Sequence, residues 1–168
     1  AEHETLQRAG GVLDLSFRSR LCLTGADRVR FLHGQVTNDV KALKPGEGCY
    51  AALVTAKGKM QSDLNIFCLP DELLLDFEPG YGAAVTQRLE QYIVADDVHV
   101  VDASGPYGLP SVQGPKAEEV LRSVGSLQEV PAQVMSFRTV ADSAGEVYVM
   151  NHPRLGSAGF DVFAPVAA

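Results

Sequence analysis

Tryptophan is absent from this chain, and cysteine occurs only three times in 168 residues. Cys22, Cys49 and Cys68 stand far apart, with no CxxC and no Cys/His cluster. The sequence therefore offers no zinc or iron–sulfur ligand set, and no metal site is expected. An odd count in apolar settings (LCL, GCYAAL, IFCLP) points to reduced, mostly buried thiols. A reducing compartment follows, and the cytoplasm is the expected location. No apolar run reaches the ~18 residues that span a bilayer. The leading AEHETLQRAGG has no apolar centre of a signal peptide, so no membrane association is expected. Basic residues are also short: 14 Lys and Arg against 21 Asp and Glu, a net charge of −7. They are scattered rather than clustered, so nucleic acid is not an expected direct partner. Gly105-Pro-Tyr-Gly108 and Gly156-Ser-Ala-Gly159 lack the helix-opening Lys of a phosphate loop and read as turns.

What is present is an ordinary folding composition, 46% hydrophobic and 21% charged. Val12–Ser16 and Ser19–Leu23 read as a strand pair around Phe17-Arg18. Apolar residues at 29, 32 and 36 give a helical period after Thr24-Gly25-Ala26-Asp27. Cys49–Val54 and Met60–Leu69 read as strands joined by the Lys57-Gly58 turn, with Leu73–Phe77 a third. A helix is expected from about Tyr81 to Ile93, then a strand at Val98–Asp102. A loop and strand fill 105–112, and a helix opens at Gly114-Pro115-Lys116-Ala117. Three strands follow, Val134–Val140, Glu146–Asn151 and Phe160–Phe163. LTGADRVRFL and VQGPKAEEVL echo each other as strand, Gly, polar start, helix, with Gly25 and Gly114 in equivalent places. Strands with a few helices give an α+β class of antiparallel sheets with helices.

The stretch TAKGKMQSDLNIF holds the one carboxylate that draws a chemical reading, Asp63. Alternation puts Met60, Ser62, Leu64 and Ile66 on one face and Gln61, Asp63, Asn65 and Phe67 on the other. On an open sheet face Asp63 is a solvated residue beside a lysine turn. Lining a cavity, it becomes a carboxylate able to exchange a proton with an amine. His3, His33, His99 and His152 have no Ser, Cys or Asp partner fixed by spacing and read as structural.

Three blocks, LTGADRVRFLHGQVTNDVKAL, GCYAALVTAKGKMQSDLNIF and GPKAEEVL, resemble the folate-binding superfamily. That superfamily joins the glycine-cleavage T-protein aminomethyltransferases, the folate domains of sarcosine and dimethylglycine oxidases, and the YgfZ proteins. FLHGQVTND and KGKM look most like the YgfZ branch. The resemblance runs from about Gly11 to Phe163. It implies two interlocked ferredoxin-like folate-binding subdomains, residues 1–47 plus 103–168 and residues 48–102, with the family's C-terminal domain absent. It implies tetrahydrofolate as cofactor, Asp63 as the catalytic position, and Tyr50, Asp63, Phe67, Lys57, Lys59 and Asn38 as folate-binding positions. Gln35 matches more weakly, and Arg154 is a further candidate for the anionic folate tail. For a YgfZ-type protein it implies iron–sulfur cluster assembly or repair and tRNA modification, with iron–sulfur proteins as partners. An aminomethyltransferase-like one-carbon transfer through Asp63 is the alternative, and a ligand-free remnant of the fold is a third. The segment HPRLGSAGFDVF lacks the folate-binding Glu that T-proteins carry there.

Overall fold

The computed structural model describes residues 2–124, 129–142 and 145–166. In chain order the elements are α1 (Glu2–Arg8), β1 (Gly11–Asp14), β2 (Ser19–Thr24) and α2 (Arg28–His33). A short 3-10 turn (Val40–Ala42) precedes β3 (Gly48–Val54), β4 (Met60–Cys68), β5 (Leu73–Phe77) and α3 (Gly82–Glu90). Then come β6 (His99–Asp102), β7 (Tyr107–Gly108), β8 (Pro110–Gln113), α4 (Ala117–Ser123), β9 (Phe137–Asp142), β10 (Gly145–Asn151) and β11 (Gly159–Pro165). The expected α+β class is what is found: two antiparallel sheets and few helices.

The chain divides into two compact units, residues 1–16 with 105–168, and residues 17–104. The first boundary falls at 16/17, not at 47/48 as the resemblance implied. Strand pairing is the reason. β2 bonds β5 on one side and β6 on the other, so residues 19–24 belong with the middle of the chain. For the same reason β1 and β2 are not a hairpin. β1 pairs with β8 instead, Gly11 opposite Gln113.

In the 17–104 unit the sheet order is β3-β4-β5-β2-β6. One face carries Leu21, Leu23, Leu53, Leu64, Ile66, Leu73, Leu75 and Phe77, packed with Phe31 and Leu32 of α2 and Val85 and Leu89 of α3. In the other unit the order is β1-β8-β11-β10-β9, with β7 bonded to β11. Its core joins Val112, Val149, Phe160 and Val162 with Ala117 and Leu121 of α4.

The two echoed glycines sit at equivalent joints. Gly25 lies between β2 and α2 at φ 100°, and Gly114 between β8 and α4 at φ 123°. A side chain there would be strained by the left-handed backbone. It would also strike backbone, that of Asp97 at Gly25 and that of Gly10 at Gly114.

Candidate functional site

The second face of the 17–104 sheet carries a row of polar residues in register. Tyr50 of β3 faces Asn65 of β4, Asn65 faces Asp76 of β5, and Asp76 faces Arg20 of β2. Asp76 has no exposed surface. It accepts from Arg18 Nε at 2.9 and 3.1 Å, and from Asn65 Nδ2 at 3.0 Å. Arg18 also reaches Glu78 at 3.0 Å. A buried carboxylate needs this matching, because an unpaired charge there costs several kcal/mol.

At the outer end of the row the Tyr50 hydroxyl donates to Asp63 Oδ2 at 3.3 Å. Tyr50 is 56% exposed, so one aromatic ring and one half-buried carboxylate stand together at the surface of β3 and β4. Partial desolvation, then the Asp63 charge and hydrogen bond, push the Tyr50 phenol above its ordinary 10.0. It therefore keeps its proton at neutral pH and acts as a donor. Asn38 fixes the strand beneath it: its Nδ2 donates to the Tyr50 carbonyl at 2.9 Å. The neighbouring Thr37 trades bonds with Ala52, and Val36 bridges Leu53, so residues 36–38 close the edge of β3.

The other expected positions are placed differently. Phe67 lies on the Asp63 face but is wholly buried, so its ring is packing and not an open stacking surface. Lys57 and Lys59 stand exposed in the β3–β4 turn, which Gly58 makes at φ 74°. Gln61 does not join Asp63 as alternation implied. The β3–β4 register shifts between Leu53 and Val54, and Gln61 Oε1 accepts from Arg88 Nε of α3 at 2.9 Å. Gln35 also accepts from Arg88, at 2.9 Å, and Arg88 donates to the Val54 carbonyl and stacks 3.9 Å from the Tyr92 ring centre. The cleft of about 290 Å³ around this arginine is thus lined by a side chain held in place through all three of its nitrogens.

Sequence reasoning passed over Arg18, Asp76 and Asn65. The signal was there in LLLDF, a carboxylate inside an apolar run, all five residues of which are buried. A second buried cluster lies in the other unit, around the Arg154 that the resemblance offered for the folate tail. Asp161 has no exposed surface and accepts from Ser111 Oγ at 2.7 Å and Arg154 Nη2 at 2.7 Å, and it lies 2.8 Å from His152 Nδ1. Burial alone would raise the Asp161 carboxyl; the His152 and Arg154 hydrogen bonds and charge outweigh it, and the net direction is down from 3.8. Arg154 is spent on this pair rather than offered to a ligand tail. Burial, with the Glu72 charge and hydrogen bond, pushes the Cys22 thiol up to about 12, so it is no nucleophile. Among the described residues no group of three or more His, Cys, Asp or Glu is placed to hold a metal ion. Among them, too, no helix is long and apolar enough to cross a membrane.

Two antiparallel sheets of this topology define a class of protein. The chain superposes on a glycine cleavage system aminomethyltransferase T from Bartonella henselae with a TM-score of 0.87 at 23% identity, over 98% of this chain and 44% of that one. A heterotetrameric sarcosine oxidase from Corynebacterium shares the fold at a TM-score of 0.61 and 20% identity, over 96% of this chain and 80% of that one. The model of the GCVT N-terminal domain matches residues 1–167, and the chain belongs to that family. It is 28% identical over 167 residues to the aminomethyltransferase of Exiguobacterium sibiricum, covering 99% of this chain and 46% of that protein. It is 34% identical over 128 residues to that of Bacillus cytotoxicus, covering 74% of this chain and 34% of that protein. The chain thus spans less than half the length of these relatives.

Proposed function

We propose that this chain carries the tetrahydrofolate-binding face of a one-carbon-transfer protein, with Asp63 the residue that holds and activates the ligand. The observation that carries the reading is the Tyr50–Asp63 pair, exposed ring beside carboxylate on one sheet face. Folate has a flat ring with hydrogen-bonding edges and a flat benzoyl group. An exposed tyrosine offers a stacking surface for either. A carboxylate accepts from ring N–H groups and holds charge that develops there. Tetrahydrofolate, when bound, supplies nitrogens that carry the one-carbon unit; Asp63 orients them and takes or returns a proton. Asn38 holds the Tyr50 backbone in place. Lys57 and Lys59 are the cations available for the anionic tail.

A second reading is a YgfZ-type protein of the cytoplasm, acting in iron–sulfur cluster assembly or repair and tRNA modification. The spellings FLHGQVTND and KGKM favour it. In that reading Asp63 binds folate without transfer, and iron–sulfur proteins are partners rather than products of ligands in this chain.

Titration of tetrahydrofolate into the 168-residue chain by calorimetry, with Asp63→Ala alongside, tests the common core of both. Binding weakened roughly tenfold or more by the substitution is expected, since a charged hydrogen bond is at stake. Equal affinity in the two proteins would remove Asp63 from the site. Transfer activity that disappears in folded Asp63→Ala separates the first reading from the second.

A further inference from the structure

Resting on the folate reading above, we propose that Asn65 is a specificity-determining residue that selects the reduced ring. Asn65 stands two residues from Asp63 on β4, on the same face, and opposite Tyr50. It is only 7% exposed. Its Nδ2 donates to Asp76 Oδ2 at 3.0 Å. That neighbour fixes the amide's orientation. The Asp76 carboxylate takes two bonds from Arg18 and can only accept. A flipped Asn65 would set oxygen against oxygen. The nitrogen must face β5, which leaves Oδ1 on the other edge of the amide. Oδ1 has no hydrogen-bond partner among the described residues, and it is not sealed from solvent. An amide oxygen with solvent access on a nearly buried side chain can exchange water for a ligand N–H.

The site therefore presents two acceptors along one strand, the Asp63 carboxylate and Asn65 Oδ1, with Cα atoms about 6.6 Å apart. Acceptors recognise N–H groups and reject bare lone pairs. In a tetrahydropterin ring, N5 and N8 carry hydrogens. In fully oxidised folate the same two nitrogens have lone pairs only. Asn65 Oδ1 takes an N–H that the reduced ring has and the oxidised ring lacks. Arg18 and Asp76 act at one remove, as positioning residues that keep the amide turned the right way.

The test is calorimetric titration of tetrahydrofolate and of folic acid into the 168-residue chain and into Asn65→Leu, with Asp63→Ala in parallel. The expected result is a fall of about tenfold in the preference for tetrahydrofolate in Asn65→Leu, as one hydrogen bond is lost while folic acid binding hardly changes. Equal weakening toward both ligands would mean that Asn65 only packs, and an unchanged preference would mean that it does not touch the ring. Either overturns the inference. If Asp63→Ala still weakens tetrahydrofolate in that case, the folate reading survives without it. Wild-type chain that binds neither ligand overturns both. Should Asn65→Leu fold poorly, Asn65→Ala reads the same ratio, because it removes the amide oxygen while Arg18 still pairs Asp76.

Discussion

Asp76 is wholly buried in a strand of five buried residues, and the guanidinium that matches it, Arg18, comes from 58 positions earlier. Removing one partner of such a pair leaves the other charge in a low-dielectric setting. Asp76→Ala is expected to cost about 3 kcal/mol or more in urea denaturation. A loss near zero would mean that Glu78, already 3.0 Å from Arg18, compensates alone. Asp161 is the residue whose pairing should show in pH. Its folded carboxyl titrates below the ordinary 3.8 because His152 and Arg154 outweigh the cost of burial. Its stabilising contribution is therefore fully present above that ordinary value and is lost as pH falls from there through the lower folded value. Tm measured from pH 7 to pH 2 should separate wild type from Asp161→Asn at neutral pH and converge in acid. A constant gap between the two curves would assign the effect to packing rather than to charge.

Strands and helices were largely legible because their periods are local. The expected strand Leu73–Phe77 matches β5 to the residue, and the expected hairpin strands match β3 and β4 to within one residue at each end. Pairing was not legible, because nothing in VLDLSFRSRLCL says which distant strand will bond it. The register shift at Leu53/Val54 was also hidden, and it moved Gln61 from the Asp63 face to Arg88. Glycine joints are intermediate: the echo of Gly25 and Gly114 was visible, but the reason for it needed coordinates. Two substitutions separate strain from collision. Gly58 has φ 74° with open space around a added Cβ, so Gly58→Ala should cost only the left-handed strain, about 1 kcal/mol. Gly25 has φ 100° and a Cβ there would collide with the Asp97 carbonyl, so Gly25→Ala should cost roughly 3 kcal/mol. Similar midpoints for the two in urea would show that the α2 joint can relax.

At the scale of the whole molecule, the candidate site is legible only where resemblance marks it. Tyr50 and Asp63 stand together, Phe67 is buried packing, and the buried Arg18–Asp76–Asn65 cluster needs β4 and β5 in register and a guanidinium from just before β2, which no local pattern announces. Charge is the property that the sequence states outright, and it sets a conflict. The net charge of −7 repels an anionic folate tail at long range, whereas Lys57 and Lys59 in the β3–β4 turn attract it locally. Salt decides between them, since both effects are screened within about 8–10 Å at physiological ionic strength. If the two lysines touch the tail, raising salt weakens tetrahydrofolate binding, and a polyglutamylated form loses more than the monoglutamate. The double variant Lys57→Ala/Lys59→Ala should then bind about fivefold more weakly at low salt, as expected for about 1 kcal/mol of exposed ion pairing, with its salt dependence flattened or reversed. Binding that strengthens with salt in the wild type would show instead that the overall negative field dominates, and would take the lysine turn out of the site while leaving Tyr50 and Asp63 in it.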